Sequence, residues 1–232
     1  MSNQRAAKEA LYGLVARVAE AAANPRRLEL LDLLVQAPRT VEHLAQAANM
    51  SMANTSQHLQ RLKRASLVAG ERQGTSISYR LASPAVARLW VELRTVATQQ
   101  LAEMDRAIDA YRPRRGHFAQ IAAAELAKRL QRGDVIVLDV RPRVEYAAGH
   151  LPGALSMPVD ELSQRVDDLP AHAFFVTYCR GPLCVYADQA LEILQAHGRH
   201  GVRLEEGTAE WHVLGFPVED GRGGAAHTME ES

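Results

Sequence analysis

Cysteine is scarce in this chain, with two in 232 residues. That number cannot build a disulfide framework; in a reducing compartment two thiols either do chemistry or pack as small buried side chains. Aromatic residues are few as well, at 5%. No uninterrupted apolar run nears the ~18–20 residues that a membrane span requires, so no membrane partner is expected. Met1 to Ala10 lacks the apolar centre of a secretory leader, and the chain reads as cytoplasmic. Net charge is missing too, with 27 Lys+Arg against 27 Asp+Glu. What is present is an apolar share of 47%, ordinary for a globular protein, which excludes a disordered or collagen-like chain. The length suits one large or two small domains.

The zero balance conceals an asymmetry. Residues 1–115 hold 17 Lys+Arg and 10 Asp+Glu, and residues 116–232 hold 10 and 17. Both cysteines, Cys179 and Cys184, lie in the acidic half. Two modules with different partners account for this, and nucleic acid is the first partner to suspect for the basic one.

Ala6 to Ala23 carries apolar residues at Leu11, Leu14, Val15, Val18 and Ala22, a helical period. Asn24-Pro25 interrupts it and opens a second helix, Arg26 to Gln36, with Pro25 at the first helical position. Thr40 can cap a short helix over Val41 to Ala48, and Asn49 suits its C-terminal turn. Ser51 caps a fourth helix reaching about Ala65, with Leu59 and Leu62 inward. From Leu67 to Leu81 the period changes. Ser76-Ile77-Ser78-Tyr79 alternates and Gln73-Gly74-Thr75 offers a turn, so a β-hairpin is expected. A single long helix then runs from Ser83-Pro84 to Tyr111, with Val86, Leu89, Leu93, Val96, Leu101, Met104 and Ile108 as one apolar stripe. No later helix of that half could cover the stripe, which makes a second copy of the chain the expected partner, in a homodimer through the first and last helices.

Arg112 to His117 reads as a linker, with clustered charge, Pro and Gly. The pattern after it is β/α. Val135-Ile-Val-Leu-Asp-Val140 and Phe174-Phe-Val-Thr-Tyr178 are continuous apolar runs, as strands covered on both faces require, and Val202-Arg-Leu204 is a short third. Helices are expected at about Ala122–Gln131, Val144–Ala148, Glu161–Arg165 and Cys184–His197. The expected organisation is a mostly α domain over 1–111, a linker over 112–117, a small α/β domain with a mainly parallel sheet over 118–220, and a disordered tail over 221–232.

Two short helices followed by a hairpin describe a winged helix-turn-helix. The stretch Thr40-VEHLAQAANMSMANTSQHLQRLKRASLV-Ala69 resembles the ArsR-type family of small dimeric bacterial repressors, at Leu44-Ala45, Ser51, Ser56-Gln57-His58-Leu59, Leu62 and Leu67-Val68. The resemblance covers roughly residues 8–111 and implies an operator in double-stranded DNA. A recognition helix inserts its N-terminal turns into the major groove, so short polar side chains belong there. Ser51, Asn54, Thr55, Ser56, Gln57 and His58 are the candidates for base contact, since Asn and Gln can pair with an adenine edge. His58 could instead pack on the preceding helix. Arg61, Lys63, Arg64 and Arg72 are the candidates for phosphate contact. Many members of the family sense metal ions. Here the third helix has His43 and no cysteine, and the last helix has no histidine, so no metal site is expected and another element must carry the signal.

The stretch Asp139-VRPRVEYAAGHLPGA-Leu155 resembles the signature of rhodanese domains, at Asp139, Arg141, Glu145, Tyr146, Gly149, His150, Leu151, Gly153 and Ala154. Glu206-Gly207-Thr-Ala-Glu-Trp211 and Gly215-Phe-Pro-Val218 resemble the C-terminal signature of the same family, with Glu206 where a glycine is frequent. This second resemblance covers about residues 117–220. It implies a sulfane-sulfur carrier that works through a cysteine persulfide and needs no cofactor. Its nucleophile would be Cys179, at the end of a central strand and the start of the six-residue loop Cys179-Arg-Gly-Pro-Leu-Cys184. Ligands of open α/β sheets bind at that end of the strands.

Loop N–H groups at Gly181, Leu183 and Val185, with the N-terminus of a following helix, would favour a thiolate or persulfide anion. Arg180 would place a cation beside the loop for an anionic donor such as thiosulfate or polysulfide, with Asp139 and Arg141 completing the catalytic set. Phosphatase and arsenate-reductase relatives of the fold use a loop one residue longer, closed by an arginine; Val185 stands there instead, which favours sulfur. Cys184 has two readings: a resolving thiol that closes a bridge to Cys179, or a small buried residue at the helix start. The joint expectation is a regulator, by family a repressor, whose second domain senses sulfur and acts on the long helix near Leu89, Leu93 and Leu101. The competing readings are a sulfurtransferase with an accessory DNA-binding domain, and an inert ligand-binding module.

Overall fold

The apolar periods become two separate cores. The computed structural model describes residues 2–221; the tail expected beyond Gly221 lies outside the described residues. The described residues divide into two compact units, parted between Arg94 and Thr95.

In the first unit, α1 (Ser2–Ala22), α2 (Pro25–Gln36), α3 (Val41–Ala47) and α4 (Met52–Arg64) precede a hairpin of β2 (Val68–Gln73) and β3 (Ser76–Leu81). Each start has a local cause. Asn24 accepts from the Arg26 and Arg27 N–H groups, with Pro25 in the first turn, Thr40 accepts from His43, and Ser51 accepts from Asn54. The C-terminus of α1 is closed by Arg27, whose Nη2 donates to the Glu20 carbonyl at 3.0 Å. Leu30, Leu34, Leu44, Leu59, Leu62, Leu67 and Tyr79 form one core. A two-residue strand that the periodicity does not reveal, β1 (Arg39–Thr40), pairs antiparallel with β3 and roots the wing on the helices.

The helix after the wing is interrupted. The α5 (Pro84–Gln100) and α6 (Ala102–Tyr111) helices are separated by Leu101, which has an extended backbone at φ −96°, ψ 109°. The continuous stripe suggests one helix, but two local features oppose it. The Thr98 hydroxyl takes the Thr95 carbonyl at 2.9 Å and competes with the helical ladder. Glu103 and Asp105 then suit a fresh N-terminus. Within the first unit α5 is locked to α2 by Asp32, which accepts from Trp90 Nε1 at 2.8 Å and pairs with Arg94 at 3.2 Å.

The second unit has a five-stranded parallel sheet in the order β4-β8-β7-β5-β6: β4 (Gln120–Ile121), β5 (Ile136–Asp139), β6 (Leu155–Ser156), β7 (Phe174–Tyr178) and β8 (His200–Leu204). The two-residue strands β4 and β6 are too short to carry a period. The α7 (Ala123–Arg132), α8 (Arg143–Ala148), α9 (Val159–Arg165), α10 (Tyr186–Ala196) and α11 (Thr208–Val213) helices complete the unit. Two apolar clusters lie on the sheet, one built on Leu138, Phe175 and Leu191, the other on Val137, Val176 and Trp211, which is why β5 and β7 read as unbroken apolar runs.

The boundary falls earlier than the sequence suggests. The segment 112–117, expected as a linker after residue 111, belongs to the second unit together with α6. Arg112 is wholly buried there, bound in bidentate fashion to both Asp188 and Glu205. A guanidinium under an α/β layer leaves no trace in local composition, where Arg112-Pro-Arg-Arg looks like solvated charge.

Candidate functional site: a buried cysteine pair and a polar recognition helix

The β7 strand is the middle strand of the sheet, and Cys179 follows its last residue. The chain then curls through Gly181, at φ +115°, a conformation glycine tolerates best. It returns through Cys184 to Val185, which precedes α10. The helix therefore starts at Tyr186 rather than at Cys184. Both cysteines are free thiols, 1% and 8% exposed. The Cys179 thiol lies 3.6 Å from the Cys184 carbonyl, and the two sulfur groups influence one another's ionisation.

Burial works against a Cys179 thiolate, but four donors outweigh it. The Cys184 thiol, the Arg203 guanidinium, and the N–H groups of Ala187 and Gly181 hold the Cys179 pKa down to about 6. The Cys184 thiol is pushed well above its ordinary value, by burial first and then by the neighbouring Cys179 sulfur. Both shifts favour Cys179 over Cys184 as the nucleophile. The rate at which iodoacetamide alkylates Cys179 should show this directly. We expect a plateau above pH ~7 and half the plateau near pH ~6, far below the ordinary thiol midpoint near ~8.5. Arg203→Gln should move the midpoint upward, and a wild-type midpoint near that of a free thiol would remove the electrostatic account.

The structure moves several expected roles. The cation at the sulfur is Arg203 of β8, with Nη2 3.7 Å from Cys179 Sγ, 3.1 Å from the Gly181 carbonyl and 2.9 Å from the Cys184 carbonyl. Asp188 holds Arg203 from the far side at 2.8 Å. Arg180, expected in that place, is bound in bidentate fashion to Glu145 at 2.6–3.0 Å and lies over the Tyr186 ring, so its charge is neutralised locally. Leu183 and Val185 were expected to aim N–H groups at the nucleophile. The N–H groups on Cys179 come from Gly181 and Ala187, and those on Cys184 from Arg180 and Tyr186.

Asp139 and Arg141 are wholly buried and spent on scaffold. Arg141 Nε donates to Asp139 at 2.9 Å and Nη2 to the Gly149 carbonyl at 2.7 Å, while the Tyr178 hydroxyl donates to Asp139 and accepts from the Leu151 N–H at 3.1 Å. None of these bonds reaches the Cys179 sulfur. The rest of the Gly-His-x-x-Gly-Ala motif is scaffold too. His150 stacks on Tyr146 with centroids 3.8 Å apart, and the Tyr146 hydroxyl donates to the Ala154 carbonyl at 2.9 Å. Gly207 of the C-terminal motif has ordinary φ and serves by lacking a side chain, since a Cβ there would sit 2.6 Å from the Arg180 carbonyl carbon. It lets the start of α11 close against the back of the loop.

In the first unit the recognition helix is α4. Ser51, Asn54, Gln57, Arg61, Lys63 and Arg64 are exposed on it, and Arg72 on the wing, where its Nε donates to the Gly74 carbonyl at 3.2 Å. Thr55 must be removed from the base-contact set, because it is fully buried with its hydroxyl on the Ser51 carbonyl at 3.0 Å. Ser56 is half-buried. His58 is half-buried as well, and burial followed by Arg27, Arg61 and Arg26 pushes its pKa down. The exposed strip of Asn and Gln followed by three basic residues has the composition of a groove-binding helix with phosphate contacts at its end. Among the described residues no helix is long and apolar enough to cross a membrane.

Known proteins match both units in the same order. The family of bacterial regulatory proteins, arsR family, matches residues 24–69, and the rhodanese-like domain matches residues 122–213. The HTH-type transcriptional regulator Rv0324 of Mycobacterium tuberculosis is 42% identical over 221 residues, covering 95% of this chain and 97% of that protein. A sulfurtransferase of Allochromatium vinosum is 31% identical over 100 residues, 43% of this chain and 92% of that protein. A solved winged helix-turn-helix DNA-binding domain from Mycobacterium bovis, homodimeric in solution, is 46% identical, covers 41% of this chain and 89% of its own, and has a TM-score of 0.40. An end-to-end relative, a matching arsR-family segment and a matching rhodanese-like domain together place the chain in the arsR family of bacterial regulatory proteins, as a DNA-binding transcriptional regulator with a rhodanese-like domain.

Proposed function

We propose that the protein is a sulfur-responsive regulator, a homodimer in the cytoplasm that binds a double-stranded operator and changes its affinity when Cys179 takes up sulfane sulfur. The observation that carries this reading is the geometry of the loop: two buried free thiols end it, and Arg203 Nη2 lies 3.7 Å from Cys179 Sγ, where a cation favours the thiolate. Such a pair suits a small anionic donor, polysulfide or thiosulfate, because the nucleophile is 1% exposed and a bulky donor would not reach it.

With polysulfide as oxidant the steps balance. The Cys179 thiolate attacks a sulfane sulfur; a Cys179–sulfur bond forms, a sulfur–sulfur bond of the donor breaks, and a chain one sulfur shorter leaves with the electron pair. The Cys184 sulfur then attacks Cys179 Sγ and hydrosulfide leaves, taking the Cys184 proton as hydrogen sulfide. Two thiols have lost two electrons to form the bridge, and one sulfane sulfur has been reduced to sulfide.

Dimerisation through the first and last helices of the first domain is supported by bare apolar surface. Leu11, Leu14 and Val15 of α1 are 56–68% exposed, and Leu89, Leu93 and Val96 of α5 are 42–54% exposed. Both sets recur at helical spacing, as an uncovered interface would. Exposed Asn54, Gln57, Arg61, Lys63, Arg64 and Arg72 support the DNA contact. A tenfold switch in operator affinity requires about 1.4 kcal/mol of coupling between the sites, a modest demand.

Binding to the protein's own promoter region at fixed salt, before and after polysulfide, with intact mass read on the same samples, tests the reading. The expected result is a gain of about 32 Da for one sulfur or a loss of about 2 Da for a bridge, with operator affinity changed tenfold or more. Loading with unchanged affinity would instead favour a sulfurtransferase carrying a DNA-binding domain. That second reading draws on the name of the Allochromatium vinosum relative. The near-complete burial of Cys179 beside its own partner thiol weighs against an external acceptor.

A further inference from the structure

Arg112 is a buried cation of the second unit that the sulfur chemistry does not use. It stands one residue beyond α6, its N–H still on the Ile108 carbonyl and its own carbonyl taking the Arg115 N–H. Its guanidinium makes five hydrogen bonds. Nε and Nη2 bind the Asp188 carboxylate at 2.7 and 3.1 Å, Nη1 and Nη2 bind the Glu205 carboxylate at 3.0 and 3.1 Å, and Nη1 also donates to the Pro182 carbonyl at 2.7 Å. Pro182 is the middle of the Cys179–Cys184 loop. Asp188 and Glu205 are in turn the partners of Arg203, at 2.8 and 3.3 Å, and Arg203 holds the carbonyls of Gly181 and Cys184 and faces Cys179 Sγ. Two arginines and two carboxylates therefore form one closed ionic cluster under the loop, and three of its six backbone carbonyls end on it.

We propose that Arg112 is the relay through which the chemical state of the Cys179–Cys184 loop reaches α6, the helix that follows the DNA-binding unit along the chain. The inference rests on the sulfur-responsive reading and adds its route. Loading Cys179 changes what Arg203 faces. A thiolate adds a third negative charge to a cluster of two positive and two negative groups; a bridged sulfur removes it. Bridging also draws the two ends of the loop together, so the carbonyls of Gly181, Pro182 and Cys184 cannot all keep their places on the two guanidiniums. Arg112 is the member of the cluster whose backbone belongs to the α6 segment. Buried charge networks have few alternative arrangements, so a change at one member propagates as a switch of partners rather than a graded shift. Only Arg can fill this position, because a planar fork of five N–H groups meets two carboxylates and one carbonyl at once, whereas an ammonium cannot.

The test compares wild-type protein, Arg112→Lys and Arg112→Gln as full chains. Loading by polysulfide is read by intact mass, affinity by titration of the promoter DNA, and folding by thermal unfolding. The variants should load to the same mass as wild type, while the wild-type change in operator affinity of tenfold or more falls to less than about twofold. Full switching in folded, loaded Arg112→Gln overturns the relay and leaves the sulfur-responsive reading intact. Wild-type protein that loads without any change in affinity overturns the reading itself.

Hydrogen exchange on the wild-type protein needs no variant to fold. Amides of residues 102–117 should exchange at least about tenfold faster after loading, since that segment loses its anchor. Loaded protein with unchanged exchange over 102–117 overturns the relay even if both Arg112 variants are unstable.

Discussion

Cys179→Ser should bind promoter DNA as the reduced wild-type protein does, gain no mass from polysulfide, and lose the affinity switch entirely. A tenfold switch is about 1.4 kcal/mol, and all of it is routed through one sulfur atom, so this is the largest functional effect a single residue can have. The physical ground is that a hydroxyl at the same place would not ionise at neutral pH, whereas Arg203, the Cys184 thiol and two N–H groups hold the Cys179 thiolate in being. Cys184→Ser separates the two chemical steps. It should retain a persulfide on Cys179, about 32 Da heavier, without the bridged product. Its operator response then decides whether persulfide alone moves the protein. Full switching by Cys179→Ser would end the sulfur-responsive reading.

Arg141→Ala should be the most damaging substitution for stability. Arg141 and Asp139 are both wholly buried. The arginine supplies Asp139 with two donors and the Gly149 carbonyl with one, and Tyr178 bonds Asp139 from the neighbouring strand. Removing the cation strands a carboxylate between β5 and β7, a change that costs about 3–5 kcal/mol in comparable buried pairs. In denaturant unfolding of the full chain, the second unit should melt earlier while the first keeps its transition. Pairing Asp139→Leu with Arg141→Met should recover much of the loss, because well-packed apolar side chains can replace a buried ion pair at little net cost. A loss below about 1 kcal/mol for Arg141→Ala would mean that the pair is not what ties the Gly149–Leu151 turn to the sheet.

These two expectations treat residues of one motif in opposite ways, and the sequence could not separate them. Asp139, Arg141 and Cys179 all stand in the rhodanese-type pattern, and a pattern marks positions without saying whether they serve the sulfur or the scaffold. Their bonding partners separate them here, with the ion pair facing Tyr178 and Gly149 while Cys179 faces Arg203. Thr55 is a similar case. In a linear string it is one more polar residue among Asn54, Ser56 and Gln57, but a helix turns 100° per residue and Thr55 falls on the side of Leu59 and Leu62. Its spacing of four to Leu59 could have revealed this.

The two units, their order, the caps of α2, α3 and α4, the wing, the central strands and the place of Cys179 at the end of one of them were all legible along the chain. Each depends on residues within a few positions of one another: a cap on its own helix, an alternation on its own strand, a loop on the strand it ends. The electrostatics of the thiolate depend on the tertiary structure. Arg203 lies 24 residues beyond Cys179 in the short strand Val202-Arg-Leu204, and parallel pairing of β8 with β7 brings it to the sulfur. Arg112 stands 76 residues before Asp188, in a stretch with the composition of a tether. Contacts over such distances leave no periodic mark, because the sheet crossing that creates them is set by the packing of the whole unit. Sequence therefore determined that two thiols share one loop at the end of a central strand; tertiary structure decided which cations lie against that loop, and that one of them belongs to the segment leading out of α6.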